Sequence, residues 1–549
     1  MPGRSRGDQL SGVGAPAGSG SAPPPQLSPW APLRAPIFRM LWIAVLASNV
    51  GTWMQTVGAQ WLVVHQGDAA RWVSLVQTAS MLPVLLLALP SGTLADTFDR
   101  RRLLLTVQIM LLGAGTALTV LTALDRMPPA LLLAFTFLLG VGQAVTLPTW
   151  QAVIPEIVPR DELPSASALG AVNTNLARSA GPAVAGLLVA HIGSAAVFGL
   201  NAVSFTVFAG ALLAWRRPPQ SGAAHAERFG PALRAGERYV RFSPVVRGLL
   251  IRVTLFVLPG SVIWGLLPLV AQQELHMGAS GYGILLAALG VGAIAGALLM
   301  PRIRAWVSAD QLVVAAGLVY GAALIVIALV PDQVAVGGAL TAAGLAWMTQ
   351  VSRMNASLQL FLPNWVRARG FGLYQVVFAG GQALGAFLWG QVTEWSSLRT
   401  TYLIAAVVML AGTVTVIWLP MHDGDGADRS PAIYWAEPHL MLQPHLDEGP
   451  VLVTAVYRVA AENHEAFTEA MRAVRGSRLR TGATRWGLFR DGEAPDRFVE
   501  VYQVPTWEEH LRQHEGRLTG SDEEAEERAQ KLARGPAEVS HLLPADYAD

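Results

Sequence analysis

The sequence predicts an all-α membrane protein with twelve transmembrane helices in two six-helix bundles, followed by a C-terminal α+β ferredoxin-like domain. Three observations support this prediction. Of the 549 residues, 52% are hydrophobic and 14% are charged, whereas soluble domains carry roughly 25% charged residues. Apolar runs long enough to cross a bilayer as helices repeat along most of the chain. After Pro420 the composition becomes polar, and strand and helix patterns replace these runs.

Twelve apolar runs lie between Ile37 and Leu419, and each is long enough to span a hydrocarbon core of roughly 30 Å. Because lipid offers no hydrogen-bond partner to the backbone, each run is expected to form a continuous helix. The run at 165–190 is polar for a transmembrane span. The runs lie near 38–64, 72–95, 103–124, 130–153, 165–190, 194–215, 247–272, 281–300, 311–330, 334–361, 370–393 and 399–419.

Basic residues are concentrated in alternate connections between the runs. The poor set holds only Arg71, Arg126 and Arg399. By the positive-inside rule, the rich set and both termini face the cytoplasm. The rich set holds Arg100, Arg101, Arg102, Arg160, Arg216, Arg217, Arg302, Arg304, Arg367 and Arg369.

The longest internal connection divides the membrane part into six plus six helices. Within it, Leu233, Tyr239, Val240 and Phe242 predict a short amphipathic helix at the cytoplasmic surface. The first residues are rich in Gly, Ser, Pro and Ala, which is typical of a disordered tail. The predicted domains are a disordered tail (1–34), an N-terminal bundle (35–217), a cytoplasmic loop (218–246), a C-terminal bundle (247–420), a linker (421–449) and a cytoplasmic ferredoxin-like domain (450–545).

The C-terminal domain reads as strands at 451–459, 484–489, 498–504 and 539–543, with helices at 463–475, 507–517 and 523–532. The order βαββαβ predicts a ferredoxin-like plait. His510 and His514 lie four residues apart on a helix, a spacing that can bind a metal ion. Their charged neighbours favour a solvated surface instead, so we predict no metal site and no cofactor.

The segment 92–102 (GTLADTFDRRR) follows the second run. It resembles the loop after the second helix of major facilitator superfamily transporters, although Thr97 and Asp99 depart from the family pattern. The resemblance implies that Gly92 allows close helix approach and that Asp96 faces the positive start of the eleventh helix, near Gly370. Together with Arg100 and Arg101, these residues would form a cytoplasmic latch that favours the outward-open state. The alternative is a loop that only sets topology.

The segment 173–186 (NTNLARSAGPAVAG) resembles the fifth-helix motif of exporters in this superfamily, with Ala177 in place of the first glycine. Pro182 removes one helical hydrogen bond. Gly181 and Gly186 remove bulk, which would let the eighth helix lie close. The resemblance implies export, whereas ordinary tight packing is the alternative.

Two further segments, 148–160 (PTWQAVIPEIVPR) and 355–370 (NASLQLFLPNWVRARG), resemble the enterobactin-exporter and macrolide-efflux branch. That branch includes transmembrane secretion effectors, which carry a C-terminal plait. The resemblance implies a proton antiporter that exports a siderophore, antibiotic or drug-like molecule across the bacterial inner membrane by alternating access, and a possible homodimer through the C-terminal domain. The rivals are an importer of the same fold and a membrane-tethered monooxygenase-like enzyme or ligand sensor. The net charge of +1 gives no indication of nucleic-acid binding.

Polar residues inside the runs are candidates for the substrate cavity. Arg178 lies roughly 20 Å into its run at 1.5 Å per residue. It either faces the cavity and favours an anionic substrate, or bonds to helix carbonyls beside Pro182. Since acidic residues lie only near the ends of runs, Asp96 and Glu156 are the candidates for proton coupling. The candidate cavity residues are Gln55, Asn173, Arg178, Trp264, Arg353, Asn355 and Gln375.

Overall fold

The structure is a computed structural model that describes residues 28–215, 229–303, 307–363, 365–418, 441–442 and 444–545. Residues 1–27 of the predicted tail (1–34) and residues 421–440 and 443 of the predicted linker (421–449) lie outside these residues. The first six long helices follow the first six apolar runs within about four residues, because uninterrupted apolar sequence has no other stable form in lipid. They are α1 (Pro36–Val63), α2 (Ala69–Thr97), α3 (Arg100–Ala123), α4 (Pro129–Ile157), α5 (Leu163–Ile192) and α6 (Ser194–Ala214).

The second half repeats this plan after α7 (Phe229–Phe242), a short helix in the central connection. Side-chain caps mark several helix starts: Ser308 accepts a hydrogen bond from the backbone N–H of Gln311, and Asp332 accepts one from Ala335. The six long helices of this half are α8 (Pro244–Leu269), α9 (Ala279–Ile303), α10 (Ala309–Leu329), α11 (Gln333–Phe361), α12 (Arg367–Trp395) and α13 (Leu398–Val414).

Eleven helices in the described part of the chain are long and apolar enough to cross a membrane. Helix α5 is the twelfth long helix and is not one of the eleven, since it carries Asn173, Asn175 and Arg178. It is nevertheless continuous over 30 residues and packs between α1 and α9. Packing on two sides buries Asn173, the most enclosed of these polar residues.

The long helices alternate in direction, so α1 begins on the side where α2 ends. We call this the arginine-rich side, because Arg100 and Arg101 lie there, and we call the other the arginine-poor side. The two halves pack mainly through α2 against α12 and α5 against α9. Small residues allow the approach: a Cβ atom at Gly390 would clash with the hydroxyl of Ser74.

The C-terminal domain contains one antiparallel sheet in the order β2-β3-β1-β4. Its strands are β1 (Val451–Arg458), β2 (Arg485–Arg490), β3 (Arg497–Val504) and β4 (Glu538–Leu542), and its helices are α14 (His464–Thr481), α15 (Trp507–Arg512) and α16 (Gly520–Lys531). The predicted element order holds, although α14 ends six residues later than expected and the predicted helix 507–517 ends in a π-helical turn (Gln513–Arg517). That this arrangement is a ferredoxin-like plait stays a prediction.

A buried ionic network fills the space between this sheet and its helices. Arg478 of α14 pairs with Glu500 of β3 at 3.2 Å and with Glu526 of α16 at 2.6 Å. The Trp486 indole and the Tyr457 hydroxyl also donate hydrogen bonds to Glu500. Burial alone would lower the pKa of Arg478, but Glu526 and Glu500 raise it well above its ordinary value.

Helix α7 joins the C-terminal domain to the helical bundle. It packs against α14 on one side and against α12 and α8 on the other. The Tyr239 hydroxyl donates a hydrogen bond to the Phe361 carbonyl at 3.2 Å, and its ring lies edge-on to Trp365. Tyr239 and Val240 are thus buried by protein, whereas we expected them at the membrane surface. The C-terminal domain therefore lies on the arginine-rich side.

Candidate functional site

A cavity of about 820 Å³ lies between the two halves. Its walls come mostly from α1, α2 and α4, and α11 and α12 close one side. Apolar side chains such as Trp53, Met81, Val84 and Phe371 form much of the wall. The polar lining side chains are Asn49, Thr52, Gln55, Thr56, Gln77, Ser80, Ser91, Thr136, Gln143, Gln151, Thr174, Asn201, Asn355 and Gln375.

The cavity extends from Ala59, about one turn before the arginine-poor end of α1, to the arginine-rich side of the bundle. Along α2 the lining runs from Gln77 to Ala95, a rise of about 27 Å at 1.5 Å per residue. On α4 it reaches Ala152, and on α12 it includes Gly372, close to the start of that helix. The opening therefore belongs to the arginine-rich side.

The polar groups that the structure describes on the cavity wall are uncharged. Among the lining residues that the structure describes, none is Asp, Glu, Lys, Arg or His. Several of its amides already have partners, since Gln143 donates to Thr52 at 2.8 Å and Asn201 donates to Gln55. Hydrogen-bonding groups among aromatic and aliphatic walls are typical of sites for small organic molecules.

Three of the seven predicted cavity residues line this space: Gln55, Asn355 and Gln375. Asn173 lies behind the wall, where it accepts a hydrogen bond from Asn49 at 2.8 Å and donates one to the Trp42 carbonyl. It thus holds α5 to α1.

The two predicted cavity arginines do not line the cavity among the described residues. The Arg178 guanidinium lies over the Trp53 ring, 5.6 Å from its centroid, which is a cation–π distance. Trp53 separates Arg178 from the cavity. Arg353 is half-buried and also lies outside the lining. Trp264 is buried, with its ring 5.7 Å from that of Trp53.

A compact layer closes the arginine-poor side above the cavity. Gln60 of α1 donates to the Trp264 carbonyl of α8 at 2.9 Å and accepts from the Tyr282 hydroxyl of α9 at 2.5 Å. The Trp61 ring stacks on Tyr282 with a centroid distance of 6.1 Å. This layer joins the two halves. We call it the Gln60 layer. Gln60 is not among the predicted cavity residues, although an amide inside an apolar run is a sequence signal that points to it.

The two glycines that were predicted to pack together against one helix contact two different helices. A Cβ atom at Gly186 would lie 2.8 Å from the Cα atom of Gly283 and from the Ala279 carbonyl, so α5 and α9 touch through backbone. Gly181 instead faces α1, where a Cβ atom would lie 2.7 Å from the Cβ atom of Trp53. The expectation that both glycines face the eighth long helix of the bundle is therefore wrong for Gly181. Pro182 lies inside α5, beside this contact.

The predicted latch is partly described. Gly92 lines the cavity, and a Cβ atom there would meet no atom within 4 Å. The prediction that Gly92 allows close helix approach is therefore wrong for this conformation. The side chain of Asp96 lies outside the described part of the structure.

Two arginines at the start of α3 join neighbouring helix ends. Arg100 pairs with Glu156 of α4 at 2.6 Å and donates to the Ala152 carbonyl at 2.9 Å. Arg101 donates to the carbonyls of Leu212 and Leu213 at the end of α6. A cation near the last carbonyls of a helix is favourable because the helix dipole is negative there.

In the C-terminal domain, the histidine pair is placed differently from the prediction. His510 is fully buried and His514 is 9% exposed, so the expectation of a solvated surface is wrong. His541 of β4 lies beside them, and one ring nitrogen of each residue lies within 4.8 Å of the others. No sequence signal near His510 points to His541, which is separated from it by α16.

Comparisons with known proteins agree with this architecture. A family model described as transmembrane secretion effector matches residues 27–546, which include the C-terminal domain. The chain is 23% identical to the staphyloferrin A transporter of Staphylococcus aureus over 50% of this chain and 70% of that protein. It is 26% identical to the multidrug efflux pump Tap of Mycobacterium tuberculosis over 70% of this chain and 94% of Tap.

Among solved structures, the chain is similar to a bacterial homologue of the human lysosomal transporter Spinster, in an inward-facing and unoccupied conformation. The TM-score is 0.55 at 16% identity, and the match covers 71% of this chain and 95% of that one. At this identity the likeness shows the fold alone.

Proposed function

Since this chain belongs to the transmembrane secretion effector family of the major facilitator superfamily, we propose that it exports an uncharged, amphipathic small molecule by alternating access. The observation that carries the proposal is the cavity between the two halves, which is open toward one side and closed toward the other by the Gln60 layer. In alternating access the halves rock around such a central site.

The composition of the cavity wall supports this substrate class. The described lining offers amides, hydroxyls and aromatic or aliphatic surface without a fixed charge. A polyanion entering it would lose water without gaining a counter-ion, which is costly in a low-dielectric site. An uncharged molecule with a few hydrogen-bonding groups loses much less. A carboxylate siderophore is the contrasting substrate class.

Sidedness decides which face of the membrane the cavity opens to in this conformation. The positive-inside rule places the arginine-rich side in the cytoplasm, so the cavity is open inward in this conformation. Both termini and the C-terminal domain would then be cytoplasmic. An inward-open, neutral cavity is ready to load cytoplasmic substrate, and the fifth-helix segment with Gly186 resembles that of exporters. The proposed location is the bacterial inner membrane.

We propose proton antiport as the driving force, with Glu156 as the coupling group. Glu156 lies one turn beyond the cavity residue Ala152 on α4 and pairs with Arg100 of α3. A proton on Glu156 would remove the charge that holds this pair together, so protonation would loosen the α3–α4 contact. Asp96 would act as the latch when the arginine-rich side closes.

The C-terminal domain is proposed to pair two copies of the chain. The face of the sheet opposite the buried residues carries Leu452, Val456, Val499 and Val501 on its central strands, with Phe489 exposed at its edge. Apolar residues on an open sheet face favour burial against a partner. In light scattering of the detergent-solubilised protein, Phe489→Glu should be a monomer where the wild type is a dimer. Leu446→Glu, which changes an exposed residue outside the sheet, should remain a dimer. A wild-type monomer would refute this pairing.

Transport in proteoliposomes tests the main proposal. The purified chain is reconstituted and a proton gradient is imposed. Movement of a radiolabelled neutral macrolide, one that lacks a basic amine, is compared with movement of a citrate-based siderophore. Gradient-driven movement of the macrolide is expected. Movement of the siderophore alone would refute the substrate class. If the movement of neither compound depends on the proton gradient, coupled transport is refuted.

A matched pair of variants tests whether the transported molecule passes through the cavity. Thr56→Trp places an indole among the cavity walls and should abolish transport. Leu213→Trp adds the same side chain at an exposed position on α6 and should leave transport unchanged. Equal activity of both variants would show that the substrate passes elsewhere.

A further inference from the structure

Three histidines come together inside the C-terminal domain. His510 lies on α15, His514 in the π-helical turn that follows (Gln513–Arg517), and His541 on β4. The ring centroids of His510 and His514 are 4.7 Å apart, and those of His510 and His541 are 4.8 Å apart. Trp507 packs against both His510 and His541. The cluster is therefore a small polar pocket with an aromatic wall.

The distances fit a shared metal ion. The Nε2 atoms of His510 and His514 are 3.2 Å apart. Two imidazoles bound to one tetrahedral zinc at 2.0–2.1 Å place their nitrogens about 3.3 Å apart. His541 brings a third ring nitrogen within 4.8 Å of the other two, so a shift of about 1.5 Å would complete a three-histidine set like that of zinc sites with one open position.

The hydrogen bonds of the described residues leave a ring nitrogen of the cluster without a partner. Nε2 of His541 is buried and has no hydrogen-bond partner among the described residues. Buried polar atoms without a partner are rare in native proteins, and an ion is one explanation for them. The turn that carries His514 is also π-helical, a geometry that is frequent at functional sites.

We propose that His510, His514 and His541 bind one divalent transition-metal ion of the kind that prefers imidazole, with Zn²⁺ as the leading candidate. Three neutral nitrogens without a carboxylate or thiolate suit Zn²⁺, Co²⁺, Ni²⁺ or Cu²⁺, and exclude the oxygen-seeking Mg²⁺ and Ca²⁺. The fourth position is left for water or another ligand.

The site lies in the segment that docks the domain onto the transporter. Glu509, next to His510, pairs with Arg517 at 2.8 Å and with Arg238 of α7 at 3.4 Å. The Arg517 guanidinium lies 4.8 Å from the centroid of the Trp365 ring, between α11 and α12. A metal ion bound to this turn would fix the geometry of the residues that contact the transmembrane helices.

Metal titration of the full chain in detergent tests the proposal. The protein is purified with a tag that contains no histidine, stripped with a chelator, and titrated with Co²⁺, whose visible absorption reports tetrahedral nitrogen coordination; Zn²⁺ then competes. We expect one equivalent per chain. Because loss of a second-shell partner already costs 10–100-fold in affinity, His541→Ala should weaken binding by roughly 100-fold or more.

The control is His464→Ala, which removes a histidine of the same domain that lies outside the cluster and contacts the Val459 carbonyl. It should bind Co²⁺ like the wild type. A wild type that shows no saturable binding, or equal affinity in His541→Ala and the wild type, would overturn the site. If His541→Ala unfolds, the same comparison is made with His541→Gln, and Zn²⁺ should raise the Tm of the wild type but not of this variant.

Discussion

Removing the Tyr282 hydroxyl should shift the protein toward the conformation that is open on the arginine-poor side. In the present conformation this hydroxyl donates to the Gln60 amide at 2.5 Å, and both side chains are 1% exposed. Tyr282→Phe leaves the Gln60 oxygen buried and unpaired, which costs about 1–3 kcal/mol. When the layer opens, water satisfies the amide, so the cost falls on the closed layer alone. The population ratio should change by about 5–150-fold.

Thiol labelling measures this shift, because the chain contains no cysteine. Thr56→Cys places one thiol in the cavity, and a membrane-impermeant reagent is applied from either side of oriented vesicles. In the Tyr282→Phe background, labelling from the arginine-poor side should rise and labelling from the arginine-rich side should fall.

Tyr320→Phe is the matched control, since it removes a buried tyrosine hydrogen bond to the Gly260 carbonyl within the second half. It should lower stability without changing accessibility. Unchanged labelling in Tyr282→Phe, or equal changes in both variants, would refute the reasoning that the Gln60 layer is a gate.

Three further changes have defined outcomes. Gly186→Leu would force side-chain atoms into the backbone of α9. It should reduce transport at least about tenfold, because the two halves could no longer close on the arginine-poor side. Gly170→Leu on the same helix meets open space and should retain transport. Glu156→Gln should abolish the dependence of transport on the proton gradient while preserving substrate exchange, and unaltered gradient dependence in the flux assay would exclude it as the coupling group. Arg478→Met removes the cation that pairs with two buried carboxylates and should destabilise the C-terminal domain by about 3–5 kcal/mol. Arg472→Met, which breaks an exposed ion pair, should cost at most about 1 kcal/mol in the same thermal unfolding experiment.

The long helices could be predicted from the sequence because lipid gives apolar runs one stable form. The predicted ends differ from the structure by a few residues, since caps and loops rather than hydropathy decide where a helix stops. Helix α5 shows the limit of hydropathy: its buried Asn173 bonds to Asn49 of α1, and protein rather than lipid surrounds this amide.

The site was less predictable because the depth of a residue along its helix does not tell which neighbouring helix or cavity its side chain faces. Gln55 and Gln375 face the cavity, but Arg178 at similar depth lies behind Trp53. The histidine cluster shows the same limit, since the folding of β4 beside α15 brings His541 to His510 and no local pattern encodes that contact. Charge counts around His510 therefore predicted a surface where the structure has a core.

Distance measurement between spin labels tests the central claim that access alternates between the two sides. One label pair spans the arginine-poor side (Arg126→Cys with Val334→Cys), and a second spans the arginine-rich side (Arg160→Cys with Arg302→Cys). When a proton gradient and a transported macrolide are supplied, the first distance should lengthen while the second shortens. Two distances that stay fixed, or that lengthen together, would contradict the account.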